Sequence, residues 1–162
     1  MTGLPNISGD LSELIGLFQS HHVEFMVVGA HALSLFGHAR FTEDIDLFVN
    51  RTTANATRVR KALEEFGIGI SDQAEEELAQ NARGMIVLGN KPNQIDILNF
   101  LDGVEFEVAQ ERTTRNWLAG YSVPFISLID FIATKKASGR TKDFEDLNRL
   151  RERLGQDFPA DQ

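Results

Sequence analysis

The chain has 162 residues, 42% of them hydrophobic, and a formal net charge of −8. That length buries one proper core, while the absence of cysteine excludes disulfides, thiolate nucleophiles and cysteine-based zinc sites. The acidic balance argues against indiscriminate binding to nucleic acid, which relies on broad positive potential, and with neither an apolar run of roughly 20 residues nor a secretion leader a soluble, cytoplasmic protein is expected.

Leu11, Leu14, Ile15, Leu17 and Phe18 recur with helical spacing behind Ser8 or Asp10 as cap, which predicts an amphipathic helix ending near His21. Phe25–Val28 is short and continuously apolar, as a buried strand is, and 30–36 reads as a short helix closed by Gly37. A strand over 45–49 follows. Residues 52–66 form a second amphipathic helix with Val59, Leu63 and Phe66 inward and Gly67 as stop, and 73–81 a polar helix. Met85–Leu88 and Gln94–Leu98 flank Gly89, Asn90, Lys91, Pro92 and Asn93, the signature of an antiparallel hairpin with a longer loop.

Val104, Phe106 and Val108 alternate with Glu105 and Glu107, which predicts a half-buried strand, and a short strand is expected over 121–123. Beyond Pro124 the pattern turns helical. Ser127 with Asp130 three residues on resembles a capping box opening Leu128–Ser138, ended by Gly139. Thr141 caps the last helix, with Phe144, Leu147, Leu150 and Leu154 as its buried stripe and Gly155 as stop. The expected class is α/β (α+β): a mixed sheet flanked by helices over 1–125, a C-terminal helical pair over 126–155, and a loose tail over 156–162. Apolar Phe125 and Phe131 are candidate contacts through which a homodimer would complete the cleft.

The chemistry centres on Thr42, Glu43, Asp44, Ile45, Asp46 and Leu47. In a strand, residues i and i+2 share a side, so Asp44 and Asp46 project together while Ile45, Leu47 and Val49 face the core. Adjacent carboxylates repel unless a cation lies between them, and an all-oxygen donor set suits Mg2+. Asp96 sits likewise between the core-facing Ile95 and Ile97; if its strand neighbours 45–49, three carboxylates converge, enough for two ions around a phosphoryl oxygen. Gly29 offers a backbone position where a phosphate approaches closely, backed by the amides that open the next helix.

Val28, Gly29 and Ala30, a short helix, then Arg40 to Asp46, then a later strand aspartate at Asp96, together resemble the DNA polymerase β-like nucleotidyltransferase superfamily. Ser127 to Asp130, followed by Lys135 to Asp143 and Asp146-Leu147, resembles the C-terminal segment of the bacterial type IV abortive-infection toxin nucleotidyltransferases and their small uncharacterised relatives. The resemblance implies metal-dependent transfer of a nucleoside monophosphate from a nucleoside triphosphate to a hydroxyl, with release of pyrophosphate. Asp44 and Asp46 would hold two Mg2+ ions, with Mn2+ as substitute, and Asp96 would be metal ligand or proton acceptor. Gly29 and Ala30 would approach the phosphates, and Arg40, Lys135, Arg140 and Lys142 would neutralise their charge. The acceptor is open among RNA, protein and a small molecule, an antitoxin is an implied partner, and no membrane is involved. Ala30 stands where the family often has Gly or Ser, and toxin relatives are usually longer.

Each residue also has a plainer role. Asp96 would pair with a cation on an exposed sheet face, Gly29 would serve a tight turn, and the basic run 135–142 would complement a helix dipole. Asp143 and Asp146 are expected to support the last helix rather than bind metal. His21, His22, His31 and His38 lack the further ligands of a metal site, although His31 borders the expected phosphate site. Trp117 and Tyr121 are base-stacking candidates whose commoner role is packing. A catalytically silent binding module and a phosphohydrolase are the alternative functions.

Overall fold

A computed structural model describes residues 3–36 and 44–160, with side chains from residue 9 onward. Among the described residues, seven helices surround one mixed six-stranded sheet. In chain order these are α1 (Gly3–Ser20), β1 (Phe25–Val28), α2 (Gly29–Leu35), β2 (Asp44–Val49), α3 (Thr53–Phe66), α4 (Asp72–Leu78), β3 (Met85–Leu88), β4 (Gln94–Leu98), α5 (Phe106–Gln110), β5 (Thr114–Leu118), β6 (Tyr121–Phe125), α6 (Leu128–Ser138) and α7 (Thr141–Leu154). The strand order is β3-β4-β2-β1-β6-β5, with β2 parallel to β4 and β1 parallel to β6, the other pairs antiparallel.

The register sorts side chains onto two faces. Phe25, Val27, Ile45, Leu47, Ile95 and Ile97 share one, where Phe18 of α1 meets Phe25 edge to face at 5.4 Å and α1 packs on α3. Val28, Asp46 and Asp96 share the other, which α2 and α6 cover in part, Phe36 against Phe131 at 5.5 Å. Asn55, fully buried, holds the far end of the β1–β2 pair: its Oδ1 accepts from the Glu24 amide (2.8 Å), and its Nδ2 donates to the carbonyls of Glu24 (3.0 Å) and Asn50 (2.9 Å). That end is thus anchored, opposite to where the aspartates stand.

Local signals fix several boundaries. Thr52 caps α3 by accepting from the Asn55 amide (3.1 Å), and Gly67 ends it at φ 103°, a left-handed value that favours glycine. Ser127 caps α6 by accepting from the Asp130 amide (3.1 Å); the buried Asp130 carboxylate then takes two hydrogen bonds from Arg112 (3.0 and 2.6 Å).

Other expectations are corrected. The first helix begins at Gly3, ahead of both Ser8 and Asp10. The fourth spans Asp72–Leu78, shorter than 73–81, with Ser71 as cap. The segment expected as a strand over 104–108 holds α5 instead: Phe106 and Ala109, three apart, are buried and Val108 is exposed, so the helical period wins, Phe106 packing on Phe48 at 5.2 Å. β5 is an edge strand that no periodicity announced, since nearly every residue is exposed. β6 runs past Val123 through Pro124 to Phe125. Arg140, not Thr141, caps α7, and Asp143 accepts from its backbone amide (3.3 Å). Phe144 is exposed, whereas Leu147 and Leu150 are buried. Phe125 and Phe131 are core residues at 3% and 1% exposure, unable to offer a dimer contact. The tail carries a 3-10 turn at Gly155–Asp157, and Phe158 packs on the core beneath the Arg151 guanidinium at 4.8 Å. No helix among the described residues is long and apolar enough to cross a membrane.

Candidate active site

β2 and β4 run side by side in parallel, with Asp46 opposite Asp96 and Asp44 opposite Gln94. The carboxylates of Asp44, Asp46 and Asp96 therefore converge, each offering an oxygen within 4.8 Å of the others. Asp96 is 7% exposed and oriented by Gln94, whose Nε2 donates to its Oδ1 (2.8 Å). It thus joins the acidic cluster rather than an exposed ion pair. Burial, then the charges of Asp44 and Asp96 and a hydrogen bond to Asp96, push the Asp46 carboxyl up to about 7, with Lys135 opposing. Carboxylates this close repel one another unless a cation or a shared proton lies between them, and an all-oxygen donor set is of the kind that suits a divalent ion.

Gly29 is required twice over at the β1–α2 junction. Its φ is +72°, and a Cβ there would lie 2.2 Å from Asp46 Oδ2. The tight turn and the acidic cluster share this requirement, because the missing side chain is the space the Asp46 carboxylate uses. Gly29→Ala is expected to lower stability by about 2 kcal/mol, combining a left-handed backbone penalty with displacement of Asp46, and to weaken Mn2+ binding. Thermal melts with Mn2+ calorimetry check it; an unchanged melt and affinity would refute the packing argument.

The cluster opens into a cavity of about 410 Å³ lined by Gly29, Ala30, Asp44, Asp46, Lys135, Arg140 and Lys142 among others. The basic residues differ in how they are held. Lys135 Nζ bonds Asp143 (3.0 Å) and Asp146 (3.2 Å), whose side chains are 1% and 4% exposed. Arg140 is exposed and bonds Asp143 (2.9 Å). Burial alone would raise the Asp143 carboxyl, but hydrogen bonds from Arg140, Ser138 and Lys135 hold it well below the usual carboxylate range. Asp143 and Asp146 thus anchor the cavity's lysine, beyond the support of α7 expected of them. Lys142 is exposed at the rim.

Arg40 and His38 lie outside the described residues. His31 stands beside Asp44: burial lowers its pKa, with a hydrogen bond to the Asp44 main chain and the Asp44 charge opposing, and its Nδ1 is buried without a partner. His21 pairs with Glu65 (3.2 Å), and the three aspartates form the only candidate metal cluster among the described residues. Tyr121 packs its hydroxyl against Gly16, and Trp117 projects from edge strand β5, far in strand order from β2; neither lines the cavity. Sequence reasoning missed the opposite wall, where Arg83, Met85, Leu98 and Phe100 stand. Its members are scattered over a hairpin, and no spacing links them.

The family described as nucleotidyl transferase AbiEii toxin, type IV TA system, matches residues 16–162. The chain belongs to this AbiEii family. The match takes in the paired aspartates, Asp96 and the whole C-terminal helical pair, so the acidic cluster and its basic flank both fall within it. No curated protein matches the chain. AbiEii membership makes nucleotidyl transfer the family activity and toxin–antitoxin pairing its setting.

Proposed function

We propose that this AbiEii-family chain is a divalent-metal-dependent transferase that moves a nucleoside monophosphate from a nucleoside triphosphate to a hydroxyl acceptor, releasing pyrophosphate. The observation that carries the reading is the convergence of Asp44, Asp46 and Asp96 beside a cavity that Asp44 and Asp46 line together with Gly29, Lys135, Arg140 and Lys142. An all-oxygen set of this kind fits Mg2+, with Mn2+ as substitute. Asp44 and Asp46 would hold the ions, which when bound neutralise phosphoryl charge.

The protein's own groups divide the rest. Asp96, oriented by Gln94, completes the metal ligation or takes the proton of the attacking hydroxyl. The hydroxyl oxygen forms a bond to the α-phosphorus as the bond from that phosphorus to the α,β-bridging oxygen breaks, and both electrons of the broken bond leave with pyrophosphate. Charge growing on that leaving group is the main electrostatic demand. Lys135 meets it from a fixed position: two of its ammonium donors go to Asp143 and Asp146, and the third is the one a phosphate oxygen would take. Arg140 and Lys142 supply further charge at the rim, and Gly29 and Ala30 let phosphate approach the backbone. An antitoxin partner belongs to the same reading, and RNA, protein and small hydroxyl compounds are its acceptor classes.

Incubating the protein with α-labelled nucleoside triphosphates, Mg2+ and a bacterial lysate tests this. Label on a discrete acceptor with equimolar pyrophosphate is the expected result. Label recovered only as free nucleoside monophosphate would mean that water is the acceptor and the enzyme a hydrolase; nucleotide binding without turnover would mean a silent module.

A further inference from the structure

The cavity wall farthest from Gly29 in strand order differs in character from the basic side of the cavity. Strand order puts β2, with Asp44 and Asp46, between β1, which ends at Gly29, and the β4–β3 pair. From Gly29 across to β3 is three strand spacings, about 14 Å. At the β3–β4 end the lining turns apolar and flat: Met85, 61% exposed, Leu98 directly opposite it across the strands, and Phe100 with the Arg83 guanidinium 4.4 Å from its ring centroid.

This wall is held in place before any ligand arrives. Asn99, 2% exposed, accepts from the Gly84 amide (2.7 Å) and donates to the Ala82 carbonyl (3.2 Å), gripping the chain on both sides of Arg83. Asp102 pairs with the Arg83 guanidinium. Gly103 leaves room for the following loop to lie against α6, where a Cβ would meet that of Ala137 at 2.7 Å. A guanidinium and a phenyl ring already stacked, beside an exposed thioether, form a surface suited to one ligand chemistry, a planar π-face.

We infer that Arg83, Met85 and Phe100 form the subsite for the nucleobase of the donor triphosphate, which lies across the acidic pair with its phosphates toward Gly29, Lys135 and Lys142. This rests on the nucleotidyltransferase reading and adds a direction to the substrate. The subsite reads the base by stacking, which every base satisfies, so discrimination among the four bases at this wall is weak. Arg83 is a stacking residue here and not a phosphate ligand.

The test is calorimetric titration with Mg2+ and the α,β-methylene analogues of the four nucleoside triphosphates, alongside inorganic tripolyphosphate. The variants are Arg83→Ala and Phe100→Leu, the second retaining apolar bulk without the flat ring. Each variant is expected to bind all four analogues about tenfold more weakly and tripolyphosphate as tightly as the parent, which also certifies the fold. Analogue affinities unchanged in both variants would overturn the subsite while leaving the transferase reading intact. Loss of tripolyphosphate binding in Arg83→Ala, with its melting temperature retained, would make Arg83 a phosphate ligand and overturn it likewise. If the parent binds neither tripolyphosphate nor any analogue, the transferase reading itself fails, and the subsite with it.

Discussion

Asp46→Asn is expected to abolish nucleotidyl transfer while making the metal-free protein more stable above pH 7. The two effects share one cause. Asp46 is crowded by burial and by the charges of Asp44 and Asp96, so the folded state raises its carboxyl from an ordinary 3.8 to about 7. A folded pKa raised in an acid means that the native state keeps a proton the unfolded chain has released. Stability therefore falls as pH rises from about 4 to about 7, and the deficit stays constant above. At about 1.4 kcal/mol per pH unit the full deficit is on the order of 4 kcal/mol.

An amide at position 46 removes the charge and most of that deficit. In EDTA at pH 8 the variant should melt several degrees above the parent, since about 1 kcal/mol corresponds to roughly 2–4 °C in a chain of this size; at pH 4 the two should coincide. Mg2+ should raise the parent's melting temperature strongly at pH 8, weakly at pH 5, and that of the variant little at either. Transfer should drop at least about 1,000-fold, because lost metal ligation removes several kcal/mol of charge stabilisation. A variant that melts lower than the parent in EDTA at pH 8 would contradict the repulsion argument, and one that still transfers nucleotide would contradict the site.

How much of this was legible in the sequence depends on the range of the interaction. Asp44 and Asp46 share a face through strand alternation alone, a rule of nearest neighbours, and the convergence of Asp96 needed only the guess that β4 pairs with β2. Caps at Thr52 and Ser127 and the stop at Gly67 are equally local. The segment over 104–108 failed because five residues satisfy a period of two as well as a spacing of three; only the ring of Phe48, more than fifty residues earlier, decides for the helix that buries Phe106. β5 failed because an edge strand with both sides in solvent has no apolar alternation. Phe125 and Phe131 read as surface candidates because hydrophobicity does not say which neighbour covers it. Arg83 and Phe100 meet only through the β3–β4 hairpin, a contact that neither residue's surroundings in the sequence foretell.

Lys135 is the clearest case of a role that the sequence half reveals, and its replacement should have the largest effect on stability. The basic run makes it a candidate phosphate ligand, whereas the structure shows the ammonium as the shared partner of two carboxylates buried at α7. Lys135→Met should destabilise the protein by about 3–5 kcal/mol, the usual cost of removing one partner from a buried charged group. The pH dependence identifies the cause. Hydrogen bonds from Arg140, Ser138 and Lys135 depress the Asp143 carboxyl despite its burial; a depressed carboxyl contributes stability that is present above its unfolded pKa near 4 and lost as pH falls through the folded value. In the variant that contribution shrinks, so the gap in melting temperature should be widest and level above about pH 5 and narrow only below about pH 4, as the parent's depressed carboxyl takes up its proton. A gap independent of pH would point instead to lost packing of the lysine stem against Phe131, whose ring centroid lies 5.4 Å from Nζ. Lys135→Arg separates the remaining functions, since it keeps the charge between Asp143 and Asp146 while replacing a compact ammonium with a planar fork: it should recover most of the stability and only part of the affinity for tripolyphosphate.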